Sequence, residues 1–307
     1  MPTPDDLYEV HAEIDVPAGL HLVAGLTGFS DAGGAVGQLN SYLDDVLDTT
    51  VVAEFDADVL LDYRARRPII SFDQDHLTEY RPPRLTLSLA HDELGSPFLL
   101  LTGFEPDFLW GRFVAAVLEL VDRFRVSDTT WVHAIPMPVP HTRPIGVTVS
   151  GNRFDLIESL SVWRPRTQVP SNVLHLLEHR LYERGDSIAA FVLLVPHYLA
   201  DTEFPAAAIM AIESLSAATG LIFPTDRLRE DGRDFLAKID EQVGTNHELG
   251  QLVSTLEERY DAYMADNSPK SPLTDIDGAL PTADEIAAEL EKFLASRRHG
   301  DEDRSSA

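Results

Sequence analysis

A glycine-rich loop, Thr27-Gly28-Phe29-Ser30-Asp31-Ala32-Gly33-Gly34, separates a short apolar run from a helical pattern. Gly28-Phe29-Ser30-Asp31-Ala32 approximates the G-x-S-x-G elbow, which lifts a nucleophilic serine onto a tight strand-to-helix turn. Chain order argues against that chemistry, because this turn follows the first strand and no histidine is placed as its base. Ser30 and Asp31 fit better as caps of the helix at 33–47. The amides of Gly33 and Gly34 at the same helix start could instead hold an anion, with Arg112 or Arg143 assisting. Further along, His175-Leu176-Leu177-Glu178-His179 matches H-x-x-E-H, with two histidines four apart as zinc requires. Val173, Leu174, Leu177 and Leu181 form that helix's apolar face, so His175 and His179 are expected on the opposite, solvated side. There is no G-x-x-x-x-G-K-[ST], and Gly33-Gly34-Ala35-Val36-Gly37 supplies only half of a dinucleotide fingerprint. No metal or cofactor is implied.

These loops must be held by alternating strands and helices. Leu20–Leu26 reads as a buried strand, and Val36, Leu39, Leu43, Val46 and Leu47 recur at helical spacing. The plan repeats with Phe98–Leu101, the loop Gly103-Phe104-Glu105-Pro106-Asp107, and a stripe from Phe113 to Phe124. Both strands exit through Leu-Thr-Gly-Phe, at Leu26–Phe29 and Leu101–Phe104. Further strands are expected at Trp131–Ile135, Ile145–Val149 and Ala189–Val195. A proline-rich loop spans 136–144. Helices are expected from a Ser171 cap through Tyr182 and over Ala206–Ala218, the second stopped by Gly220. In an open parallel sheet such exits share the carboxyl edge, where ligands bind. Asp31, Glu105, Asp107, Arg112, His141, Arg143, His197, Tyr198 and Glu203 crowd that edge. With Gly28, Phe29, Ser30, Gly33 and Gly34 they form a candidate pocket for a small anion or sugar. They suit a subunit interface equally well.

The chain has 307 residues, 44% of them hydrophobic, and divides into three regions. Residues 1–224 carry the α/β core, residues 225–266 read as a helical subdomain, and residues 267–307 read as linker, short helix and polar acidic tail. Thr282 and Glu285 make a capping box for that last helix, whose apolar face is Ile286, Leu290, Phe293 and Leu294. With 51 acids against 24 bases the net charge is −27, which repels nucleic acid and anionic membrane surfaces. The absence of cysteine removes disulfides and thiolate chemistry. A polar start without an apolar core of a signal peptide makes the cytoplasm the expected compartment.

Taken together, Gly28-Phe29-Ser30-Asp31-Ala32-Gly33, Gly103-Phe104-Glu105-Pro106-Asp107, Gly151-Asn152-Arg153 and Val195-Pro196-His197-Tyr198 resemble the actinobacterial branch of the PAC2 family, relatives of proteasome assembly chaperone 2. The resemblance covers roughly residues 5–265. It implies a three-layer α/β/α core similar to the phosphorylase/hydrolase-like fold, a small C-terminal helical subdomain, and self-association as a homotrimer. It supplies no catalytic residues. Eukaryotic relatives dock through a C-terminal hydrophobic-Tyr-X tail, whereas this sequence ends Arg304-Ser305-Ser306-Ala307, so a copy of that docking mode is not expected. The residues thus fit best a non-enzymatic protein–protein binding or assembly factor. The alternative is a phosphorylase- or hydrolase-like enzyme, or a small-anion or nucleoside binder, built on the strand-exit loops.

Overall fold

The computed structural model describes residues 7–267. Runs of Leu, Val and Ala bounded by turn residues become strands, and the 3.6-period stripes become helices. In chain order these are β1 (Tyr8–Val10), β2 (His21–Thr27), α1 (Ala35–Val46), β3 (Thr49–Phe55), α2 (Ala57–Leu60), β4 (Ile69–Asp73), β5 (His76–Arg81), β6 (Leu85–His91), β7 (Pro97–Phe104) and α3 (Trp110–Phe124). Then follow β8 (Asp128–Met137), β9 (Gly146–Gly151), α4 (Phe154–Leu160), α5 (Val173–Arg184), β10 (Ile188–Pro196), α6 (Pro205–Thr219), α7 (Asp226–Thr245) and α8 (His247–Asn267). The capping box at Thr282 and Glu285 and the helix and tail beyond it lie outside the described residues.

Eight strands form one sheet in the order β1-β3-β6-β7-β2-β8-β10-β9. The central four, β7, β2, β8 and β10, are parallel. The flanking pairings β1–β3, β3–β6, β6–β7 and β10–β9 are antiparallel. Only β4 and β5 stand apart, as a two-stranded antiparallel arm. The protein is thus a mixed α/β fold with helices on both faces of a large sheet. Parallel strands need crossovers, and the crossover helices cover the sheet.

Period-2 alternation sorts the strand residues between two cores. On one face Val23, Val132, Ala134, Phe191, Leu193 and Val195 meet α1 and α6. Leu228 of α7 is buried in that same cluster, and Phe235 and Leu236 pack on it. On the other face Leu22, Leu99, Leu101, Trp131 and Ala190 meet α3 and α5, with Phe113 and Trp131 among the largest fully buried side chains. α5 is capped by Asn172, whose side chain accepts from the His175 amide, rather than by Ser171. Asn172 wins because its carbonyl reaches the third amide of the helix while the His175 ring closes the box on the Asn172 amide.

Candidate functional site

The four parallel strands discharge their loops at one edge, and the glycine turn after β2 is the best anchored of them. Both carboxylate oxygens of Asp31 accept amides at the start of α1, from Val36 at 2.8 Å and Gly37 at 2.9 Å. Burial nevertheless pushes its carboxyl above the usual range, against the lowering effect of those amides. Asp31 is therefore the helix cap that its type predicts. Ser30 is not, because its hydroxyl donates instead to the Ala134 carbonyl on β8. The Gly33 and Gly34 amides do not face a ligand either. Gly33 N–H donates to the Ala200 carbonyl at 2.8 Å and Gly34 N–H to that of Asp31 at 2.9 Å. The anion cradle expected there is closed by backbone, and Glu203 lies beside Gly34.

The exits of β2 and β7 join. Glu105 N–H donates to the Thr27 carbonyl at 2.7 Å. The buried Glu105 carboxylate accepts the Val173 amide at 2.7 Å, capping α5 from another strand, and burial raises its pKa. Asp107 accepts the Asp62 amide at 2.7 Å and pairs with Arg66. Arg66 also lies over the Phe104 ring, 5.4 Å from its centroid. Gly28 is required here: its φ is 123°, and a Cβ would stand 2.7 Å from Arg66 Nη2. Arg112 sits in the first turn of α3. Phe29, 46% exposed, stacks on His133, with ring centroids 5.6 Å apart. His133 packs edge-on against His175, and His175 edge-on against Trp131. Trp131 Nε1 donates to Glu178, whose carboxyl is raised by burial. Burial, then the His175 ring, hold His133 down to about 4.

His175 is therefore not on a solvated helix face. α5 lies across the sheet broadly enough that Trp131 and His133 reach its histidine side. His179 is exposed and faces Glu183. The two histidines of the H-x-x-E-H motif thus serve different surroundings. Among the described residues no cluster of three His, Asp or Glu is arranged to hold a metal.

The remaining expected residues gather around the proline-rich loop after β8. Tyr198 hydroxyl bridges the His141 amide and Nδ1 at 2.7 and 2.6 Å. His141 Nε2 then faces Asp240 of α7 at 3.3 Å. His197 is exposed, its Nδ1 3.3 Å from the Met137 carbonyl. Arg143 forks onto both oxygens of Asp261 at 2.8 and 2.7 Å and reaches Glu257 at 3.2 Å, all on α8. The Asp261 hydrogen bonds raise its pKa further. Arg143 is thus a tie between loop and helix rather than an anion ligand. Replacing it by alanine should speed amide exchange in residues 247–265 and leave sheet amides protected. Unchanged α8 exchange by mass spectrometry would contradict that role.

The sequence matches the family model described as the PAC2 family over residues 25–243. The chain belongs to the PAC2 family. This PAC2 protein is 40% identical to a Mycobacterium tuberculosis protein of unknown function of solved structure, over 86% of this chain and 94% of that one, with a TM-score of 0.80. It is 34% identical to a Corynebacterium glutamicum protein of unknown function, over 85% and 99%, with a TM-score of 0.82. A Mycobacterium tuberculosis proteasome-assembly chaperone homologue shares the fold at 24% identity, over 76% and 100%, with a TM-score of 0.68. No curated protein matches the sequence. Among the described residues of this PAC2 chain no helix is long and apolar enough to cross a membrane.

Two features of the PAC2 chain escaped the sequence reading. His133 shows a signal in hindsight: it shares a strand face with Trp131 at period 2, a titratable ring in an otherwise apolar run. The β4–β5 arm shows another. Ile69, Phe72, Leu77 and Tyr80 are 68%, 71%, 60% and 59% exposed. An isolated two-stranded ribbon cannot bury its own side chains, and these four stay in solvent.

Proposed function

We propose that this PAC2 protein is a non-catalytic, assembly-chaperone-like binding protein that acts in the cytoplasm as a homo-oligomer, with the trimer expected from the family resemblance as its stoichiometry. The observation that carries this function is the β4–β5 arm, which presents four large apolar side chains to solvent on a ribbon without a core of its own. The strands themselves, residues 69–81, hold one arginine against three acids, while Arg64, Arg66, Arg67 and Arg84 lie at the arm's root, so the arm's binding character is apolar rather than cationic. The joined exits of β2 and β7 brace the arm's root through Arg66 and Asp107, so the strand-exit edge works as a platform for it. A structural neighbour described as a proteasome-assembly chaperone homologue is consistent with a protein-binding role.

The test is light scattering coupled to size exclusion on the wild type and on Phe72→Asp combined with Leu77→Asp. Both side chains lie in solvent, so the melting temperature should hold while the oligomer falls to monomer. A wild type that is monomeric at all concentrations, or an unchanged oligomer in the double variant, would overturn the assignment.

A further inference from the structure

A second concave site lies on the α1 face of the sheet, apart from the arm. There α1 packs on β2 and β8, and a cleft of about 600 Å³ opens between the helix and strands β3, β6 and β7. Its size is that of small-molecule sites, and its mouth includes Thr27 and Gly103 at the carboxyl ends of two adjacent parallel strands.

The lining changes character where the helix cover stops. On this face β8 and β10 present Val132, Ala134, Phe191 and Leu193 to the core. The same face of β6 and β7 presents Thr86, Ser88 and Thr102 to the cleft. Thr86 and Thr102 are directly paired across the strands, so their hydroxyls form one row. Thr86 and Ser88 are 9% and 7% exposed, buried as deeply as core residues yet polar. Opposite them α1 contributes Asn40, Ser41 and Asp44. Asn40 fixes its amide by donating to the Gly25 carbonyl at 2.9 Å. Both walls are therefore hydrogen-bonding surfaces, with Leu100 and Phe104 adding an apolar strip.

Charge narrows the class of ligand. The one cation of the lining, Arg84, is forked onto Glu54 at 2.9 and 3.0 Å and feels Asp44 beyond it. An anion would meet Asp44 with no cation free of a carboxylate partner. Hydroxyls, an amide and a carboxylate beside an apolar strip match a neutral polyhydroxylated molecule, which offers donors, acceptors and C–H faces together. We infer that this cleft binds a neutral sugar or cyclitol of one or two rings. The inference is independent of the arm and of the oligomer.

Saturation-transfer difference NMR tests it with methyl α-D-glucopyranoside, methyl β-D-galactopyranoside and myo-inositol as probes, and glucose 6-phosphate as the charged comparison. At least one neutral probe should show transfer, and Thr86→Val combined with Ser88→Ala should weaken it by about fivefold or more, since two hydroxyl partners are lost without added bulk. Asp44→Asn, on the opposite wall and exposed to the cleft, provides a second variant should the strand substitutions disturb folding. Absence of transfer from all neutral probes, transfer that both variants leave unaltered, or preference for glucose 6-phosphate would each overturn the inference.

Discussion

Gly103→Ala should cost roughly 3–5 kcal/mol, the range of a strained backbone combined with a forced shift of packed neighbours. Gly103, next to last in β7, has φ at 130°, and a Cβ there would stand 2.2 Å from the Arg84 carbonyl oxygen and 2.8 Å from Leu85 Cα. Both obstacles are backbone, so no rotamer change relieves them. The strand pair must part where Gly103 faces Leu85. That is also where the arm returns to the sheet and where the β7 exit joins that of β2. The variant should therefore lose global stability in urea and, at temperatures where it is still folded, expose the segment from residue 62 to 84 to protease. A midpoint within experimental error of the wild type would show that the strands part without cost, contrary to the geometry.

The second large effect is a pH dependence centred on His133. Its ring is 4% exposed and its pKa falls from 6.5 to about 4 in the folded protein, first through burial and then through His175. The sign follows from linkage: the unfolded chain binds the proton more readily. The stability His133 confers by staying neutral is complete above 6.5, and it is lost as pH falls from 6.5 towards 4. At pH about 5 the loss approaches about 2 kcal/mol as an order of magnitude. Burial lowers His175 in the same direction. Glu178, which accepts from Trp131, and Glu105, which caps α5, have raised pKa values and oppose the trend, since a raised carboxyl favours the folded state as pH falls. Comparison with His133→Phe isolates the term, because the variant keeps the carboxyls and the ring stack with Phe29. Its stability relative to wild type should rise by about 2 kcal/mol between neutral pH and pH about 5. A pH-independent gap between the two proteins would refute the assignment.

These two residues also show what kind of information a sequence holds. The parallel centre of the sheet was legible because buried strands and crossover helices write their environment locally: β2, β7, β8 and β10 are apolar runs, and α1, α3 and α6 are stripes of period 3.6. Asp31 was legible as a cap for the same reason, since the helix it serves begins four residues on. The antiparallel half was there to be read in Leu85, Leu87 and Leu89 alternating with Thr86 and Ser88, but that alternation says only that one face is buried. It does not say that the other is a polar cleft. Most of the candidate pocket failed to form one site because chemical type does not fix partners. Arg143 was a fair anion ligand by type, and α8, legible only as part of the helical region at 225–266, brings Asp261 to it. Gly33 and Gly34 had the right amides, and the chain at Ala200 took one of them.

By itself, then, the sequence determined the layers of this PAC2 protein, the Asp31 cap, the exclusion of thiolate and P-loop chemistry, and its acidity, all of which follow from composition or from spacings within a few residues. Only the tertiary structure decided where the polar groups find partners, which aromatic rings bury His133, and that the β4–β5 arm projects without cover. Those depend on contacts between segments far apart in the chain, and no local pattern encodes the distance between Arg143 and Asp261 or the space above Thr86.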